Sequence, residues 1–413
     1  MNGDFVVPFA RRGSLVDDSD VAAVARLVSE AGTLSAGEWR DRFERRFADH
    51  VGARHAMSVT SGTVALELAI QLLDLAPGDE VIATPQTFQA TLQPLLDHDV
   101  QVRFCDVDAE SLNMDPTVLR TLITERTKAI LLVHYAGYPA QMDEIVAIAR
   151  KHGIIVIEDC AHALGSEYLG RRPGNLADIG CFSFHSTKNI TTLGEGGMLT
   201  FNRDDWAERV ERRRSNEVDG IFVSQANDGE PFLLPWMKFS ADVYRMACVG
   251  VRRSGTNATL SEAAAAAGLA QMDKLDSMVA RRQEIAARLD DVIGSFDGTR
   301  LHQTPAGSTH ARHLYTFFVE EGRDDLVRSL HGLGVEVQLR YFPLHLTPEW
   351  RWRGHRAGEC PEAERSWFNS HMNLPCHPGL TDLQVDHLVD AVATSLSKES
   401  ACRTSMSGSM RVG

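Results

Sequence analysis

The fold class this sequence predicts is α/β, built on a mostly parallel seven-stranded sheet in a large domain and followed by a smaller α/β domain. Three observations predict it. Seven short runs rich in Val and Ile fill the first half: Met57–Val59, Glu80–Thr84, Val100–Cys105, Lys128–His134, Ile154–Glu158, Ile179–Phe184 and Met198–Phe201. Helical periodicity separates several of them. The runs are almost continuously apolar rather than alternating, which is the mark of strands covered on both faces.

Taken in order, the first run ends in Thr60-Ser61-Gly62-Thr63, which opens a helix over Thr63–Leu73. The second ends in Pro85-Gln86-Thr87-Phe88. Helices over Thr117–Thr124 and Gln141–Lys151 flank the fourth run, and the fifth leads directly into Asp159. After the sixth come His185-Ser186-Thr187-Lys188 and the glycine turn Gly194-Glu195-Gly196-Gly197. Residues 215–253 break the rhythm and read as a loop excursion near the site, with a turn at Asn227-Asp228-Gly229 and an irregular apolar stretch at Phe232–Trp236. Two helices follow, Ser261–Leu275 with Ser261 as N-cap, and Met278–Ile293. The small domain then reads as strand His313–Glu320, helix Arg323–Leu333, strand Val335–Arg340 and helix Asp382–Leu396. The expected division is 1–275 for the large domain, 276–396 for the small one, and a Ser-rich disordered tail over 397–413.

With 413 residues, 43% of them hydrophobic and 24% charged, the composition is that of a globular protein with a large core. A net charge of −14 argues against a general nucleic-acid binder. Arg212-Arg213-Arg214, Arg252-Arg253 and the Arg351–Arg356 stretch suit either a solvated surface or a site for a phosphorylated substrate. The seven cysteines lack paired spacing, and Cys160 and Cys181 fall in or beside apolar runs as buried thiols, which favours a reducing cytoplasm. No signal peptide and no run of membrane-spanning length is read. The His residues show no metal-ligand spacing and no Ser-His-Asp triad is indicated.

The chemistry concentrates at strand ends, where open α/β sheets bind ligands. A lysine past one strand and a carboxylate closing another is the pair that pyridoxal phosphate requires. Lys188 would hold its aldehyde, and Asp159 would keep its ring nitrogen protonated so that the ring withdraws electrons. A carboxylate at the end of so apolar a run needs a cation, and a pyridinium is one, unless Asp159 simply caps the segment that follows. Ser61, Gly62 and Thr63 at a helix start suit a phosphate, although a plain helix cap explains them equally. Ser183 suits a hydroxyl donor to the phosphate or a small core residue in a strand. Phe88 suits stacking on a ring or a place in the core. His162 suits the cofactor's phenolic oxygen or a satisfied interior.

As a set, these motifs resemble those of the DegT/DnrJ/StrS family of pyridoxal-phosphate-dependent aminotransferases, from about Val7 to Leu396. The fit runs through Gly32–Gly37, Phe43-Glu44, Ser61-Gly62-Thr63, Pro85 to Thr91, Glu158-Asp159-Cys160-Ala161-His162, Phe182-Ser183-Phe184-His185, the glycine turn, Gly268–Gln271 and Tyr341–His345. The resemblance implies fold type I of the pyridoxal-phosphate transferases, with Lys188 and Asp159 catalytic. It implies Gly62, Thr63 and Ser183 on the phosphate, Phe88 on the ring and His162 on its oxygen. Asn257 would reach the phosphate bound in the other subunit of a homodimer. It also implies an L-glutamate or L-glutamine donor and a keto-sugar acceptor, mostly nucleotide-linked, in amino-sugar or antibiotic biosynthesis, with pyridoxamine phosphate as the intermediate cofactor form.

The chain departs from the family pattern in three places. Ala258-Thr259 follow Asn257 where an aromatic residue and Arg are common. Arg340 precedes Tyr341 where His is usual. Leu193 is an extra residue before the glycine turn. These departures put a keto-cyclitol or other non-nucleotide acceptor beside the keto sugar. Lys188 itself speaks against a pyridoxamine-phosphate-dependent sugar dehydratase, in which His typically replaces it, and the intact set speaks against a non-catalytic regulator.

Overall fold

The computed structural model describes residues 5–9, 11–30, 32–224, 246–302 and 304–409. The seven apolar runs all become strands of one sheet: β1 His55–Val59, β2 Glu80–Ala83, β3 Gln101–Phe104, β4 Thr127–Val133, β5 Ile155–Asp159, β7 Ile179–Ser183 and β8 Gly197–Phe201. The remaining element before β7, β6 (Glu167–Tyr168), lies outside that sheet and pairs with β12 (Ser308–Thr309). The order is β1-β8-β7-β5-β4-β2-β3, and only β8 runs against the others. Helices α1 (Asp18–Glu30), α2 (Glu38–Val51), α3 (Gly62–Leu72), α4 (Pro116–Leu122), α5 (Met142–His152) and α6 (Asp204–Arg214) accompany it.

α3 starts where it does because the Ser61 hydroxyl accepts from the Val64 N–H, and its Ala65, Leu66, Leu68, Ala69, Ile70 and Leu72 are buried. Gly197 starts β8 because a Cβ there would lie 2.3 Å from the Ser61 carbonyl oxygen. This close approach draws β8 against the turn that opens α3.

Four expectations are corrected. Residues 219–224 and 246–253, read as part of an irregular excursion, form an antiparallel pair, β9 (Asp219–Ser224) and β10 (Met246–Arg253), each with β-branched residues at alternate positions, Ile221 and Val223 in one and Val249 and Val251 in the other. The Asn227 turn and the Phe232–Trp236 stretch lie outside the described residues. The two helices expected at 261–275 and 278–293 are one, α7 (Glu262–Ile293). No Gly or Pro interrupts it at Asp276-Ser277, and the Ser277 hydroxyl donates to the Lys274 carbonyl within the same helix. The expected domain boundary therefore falls inside α7. Its Ala265, Met272 and Leu275 join the core around Phe43, Phe47 and Phe182, whereas its Ile285, Leu289 and Ile293 join a second core.

That second core packs the sheet β11 (Thr299–Leu301), β13 (Tyr315–Val319) and β14 (His371–Leu374) against α7, α8 (Arg323–Gly332) and α11 (Asp382–Ser409). Two short helices, α9 (Pro348–Trp352) and α10 (Pro361–Arg365), instead put Trp350 and Ala363 into the core of the large sheet beside Phe104. Third, Val335–Arg340 is not a ladder strand: it bridges Val7 at one end and Asn373 further on. Fourth, α11 continues through Ser409 into residues expected as a disordered tail, where Lys398, Glu399, Ala401 and Arg403 are good helix formers. Among the basic clusters, Arg213 and Arg214 are buried rather than solvated, and Arg214 pairs with Glu44 and Glu211.

Candidate active site

A cavity of about 640 Å³ opens at the carboxyl ends of β1, β2, β5 and β7. Its lining includes Gly62, Thr63, Phe88, Asp159, His162, Ser183 and Lys188, so seven of the eight residues singled out in the sequence meet at one place. Asn257 does not line it. That residue is exposed, on an extended segment whose neighbours Thr256 and Ala258 donate to the Arg213 and Arg214 carbonyls, beside the end of β1.

Each wall is built locally. Asp159 ends β5 and is buried. Its Oδ1 accepts from the Ala161 N–H at 2.9 Å and its Oδ2 from the Thr91 hydroxyl at 2.7 Å. Thr91 is in turn 2.6 Å from the Thr87 hydroxyl. Asp159 makes no direct ion pair with any described side chain, and Lys188 acts on it only through space. Gly62 is required by packing: a Cβ there would lie 2.7 Å from the Ser183 Cβ, so the start of α3 and the end of β7 approach only because it is absent. Phe88 stays 51% exposed, its ring available to a ligand instead of spent in the core.

His162 is buried, its ring 4.3 Å from that of His313 and nearly parallel to it, and its Nε2 lies 3.1 Å from the Tyr341 hydroxyl. Its Nδ1 is buried without a hydrogen-bond partner. Burial, reinforced by Lys188 and Arg340, holds this imidazole neutral, well below its ordinary pKa. Burial also lowers the Lys188 amine to about 8; Asp159 opposes the shift and Arg340 adds to it. Burial raises Asp159 above the ordinary carboxylate value, against the Ala161 and Thr91 hydrogen bonds.

Sequence reasoning did not assign four residues here. Thr91 and Tyr341 sat inside quoted motifs without a role. Arg340 was visible only as a departure from pattern. His313 carried no signal at all, since nothing local distinguishes one histidine that will stack on another from a distant strand. A cluster of His134, Glu158 and Cys160 has ligand-like spacing. Its polar atoms are already spent, however. Glu158 accepts from the Gly174, Leu176 and Ala177 N–H groups and pairs with His134 Nε2, while His134 Nδ1 accepts from Ala140.

A buried lysine and a buried carboxylate with no direct ion-pair partner, brought into one cavity at the strand ends of a mostly parallel sheet, are the pair a pyridoxal-phosphate-dependent enzyme needs. The cavity suits that group on independent counts: an amine for its aldehyde, Asp159 for its ring cation, an unpartnered His162 Nδ1, and a helix start cleared by Gly62. The chain belongs to the DegT/DnrJ/EryC1/StrS aminotransferase family, whose model matches residues 16–393. It is an aminotransferase, and its cofactor is pyridoxal phosphate.

Among its relatives is the spore coat polysaccharide biosynthesis protein SpsC of Bacillus subtilis, 34% identical over 375 residues, covering 88% of this chain and 91% of that one. GDP-perosamine synthase of Caulobacter vibrioides is 33% identical, with 87% and 90% covered. The crystal structure of the aminotransferase TlmJ from Streptoalloteichus hindustanus superposes with a TM-score of 0.83 at 29% identity, covering 95% of this chain and all of that one.

Proposed function

We propose that this enzyme moves an amino group from L-glutamate or L-glutamine onto a nucleotide-linked keto sugar, as a cytoplasmic homodimer with shared active sites. The observation that carries the transamination is the meeting of Lys188 and Asp159 in one cavity. The sugar acceptor is supported by relatives named for perosamine and coat-polysaccharide synthesis. Among the described residues no helix is long and apolar enough to cross a membrane, and six cysteines are unpaired thiols.

When bound, the cofactor supplies an aldehyde for covalent capture and a ring that withdraws electrons. Lys188 provides the capturing amine. Once released, its Nζ takes the proton from the donor's α-carbon. Asp159 holds a proton on the ring nitrogen, with Thr91 and Ala161 fixing its two oxygens. The Gly62 and Thr63 N–H groups at the start of α3, with the Ser183 hydroxyl, hold the phosphate. His162 would contact the ring oxygen, and Phe88 would stack on the ring. Asn257, exposed beside β1, reaches the phosphate in the second subunit.

Gly62→Ala tests the phosphate cradle. The added methyl meets the β7 end at Ser183, so the affinity for pyridoxal phosphate falls roughly ten- to a hundred-fold at a stability cost of about 1–3 kcal/mol. Equilibrium dialysis and thermal melting check the two effects separately.

The pH dependence of cofactor capture follows from Lys188. Only the neutral amine attacks, so capture by cofactor-free enzyme speeds up roughly tenfold per pH unit below the amine's pKa and levels off above it. With that pKa lowered to about 8, the plateau begins near there. A rate still climbing at the ordinary lysine value of about 10.4 would contradict the lowered basicity.

The acceptor is identified by loading the enzyme with pyridoxamine phosphate and screening nucleotide-linked keto sugars against keto-cyclitols for return of the aldehyde-form absorbance. Turnover of a keto-cyclitol alone would replace the nucleotide-linked assignment. A deoxygenated product without an amine would replace transamination with dehydration.

A further inference from the structure

Arg340 is the cation in the cavity that the cofactor does not use. Its backbone is clamped on both sides: its N–H donates to Asn373 Oδ1 at 2.8 Å, and its carbonyl accepts from the Tyr135 hydroxyl and lies 3.1 Å from His371 Nε2. Its side chain is braced as well. Residues 336, 338 and 340 alternate along an extended segment and form a hydrogen-bonded relay. Arg340 Nε donates to Gln338 Oε1 at 2.7 Å, Gln338 Nε2 donates to Glu336 Oε1 at 3.1 Å, and Glu336 Oε2 accepts from the Phe9 N–H at 2.7 Å. Only Nε is used in this relay, and the guanidinium meets no carboxylate among the described residues. The guanidinium lies 5.8 and 5.9 Å from the Phe9 and Tyr341 ring centroids and beside the Tyr341 hydroxyl, and a fork so held that meets no carboxylate is preorganised for a bidentate anion. It lines the same cavity as Lys188, Asp159 and Tyr341.

We propose that Arg340 is the specificity residue that grips the α-carboxylate of the amino donor. This rests on the reading of the cavity as a transamination site. A carboxylate is favoured over a nucleotide's phosphates because of bond distance. An amino acid carries its carboxylate on the reacting carbon itself, whereas a nucleotide-linked sugar carries its phosphates on a carbon other than its keto group. Among the described residues Arg340 is the only arginine in the cavity lining.

The test uses the cofactor-loaded enzyme and glutarate, a dicarboxylate with no amine to react. Thermal-shift titration is expected to show glutarate binding weakened roughly ten- to a hundred-fold by Arg340→Gln, with partial recovery in Arg340→Lys. In single half-reactions, KM for whichever of L-glutamate or L-glutamine the wild type uses rises by a similar factor, while KM for the acceptor moves less than about twofold. Arg340→His, which restores the residue usual in the family pattern, gives a second folded variant and is expected to lose glutarate binding too. Unchanged glutarate binding in both variants, or a defect confined to the acceptor half-reaction, overturns the assignment. Borohydride trapping of the cofactor on Lys188 separates the two readings. If the wild type does not trap it, the transamination site falls. If all variants trap it and bind glutarate alike, only the role of Arg340 falls.

Discussion

Lys188→Ala yields a folded protein that binds pyridoxal phosphate without a covalent bond and transaminates at least roughly a thousand-fold more slowly. Two functions are lost at once, the nucleophile that captures the aldehyde and the base at the donor's α-carbon. Folding is not the casualty. The amine's pKa is lowered to about 8 in the fold, so its charged form is less favourable in the native state than in the unfolded chain. That unfavourable contribution is fully present below about pH 8 and fades as pH rises toward the ordinary lysine value. Replacing Lys188 therefore removes a cost at neutral pH. Borohydride reduction followed by peptide mapping, with half-reaction kinetics, checks both parts. Wild-type turnover by Lys188→Ala would remove this lysine from the mechanism.

Asp159→Asn retains the shape of the site and loses its charge. The Thr91 hydroxyl and Ala161 N–H continue to meet oxygen or amide at 159, but nothing then holds a positive ring nitrogen in place. An opposite charge in close contact is worth one to three pKa units to its partner, so turnover falls roughly ten- to a thousand-fold, with the defect in kcat more than in cofactor affinity. Because burial already raises Asp159, the wild-type carboxylate is the more strained of the two without its cation. Cofactor-free wild type is accordingly expected to gain more melting temperature on loading than Asp159→Asn does. Equal gains would mean that the carboxylate and the ring do not interact.

The sheet was legible because its strands are buried on both faces, and burial of that kind writes itself as short apolar runs. Asp159 and Lys188 were legible for the opposite reason, as polar residues where such runs stop. The small domain was less so. Val335–Arg340 has strand composition yet makes only isolated bridges to Val7 and Asn373, a choice made by distant chain. His313, Thr91 and the Arg340 relay depend on contacts between segments far apart in sequence, which no local pattern encodes. The α7 helix was read as two, Ser261–Leu275 and Met278–Ile293, although the backbone at Asp276-Ser277 had no reason to stop.

That unbroken α7 has a mechanical consequence. At about 1.5 Å per residue its 32 residues make a strut roughly 48 Å long, anchored at one end among Phe43 and Phe47 and at the other among Tyr315 and Leu388. A stiff strut fixed at both ends sets the distance between the two cores it joins. The two cores are thus held at a constant separation along this helix, and a change in that separation requires the helix itself to bend.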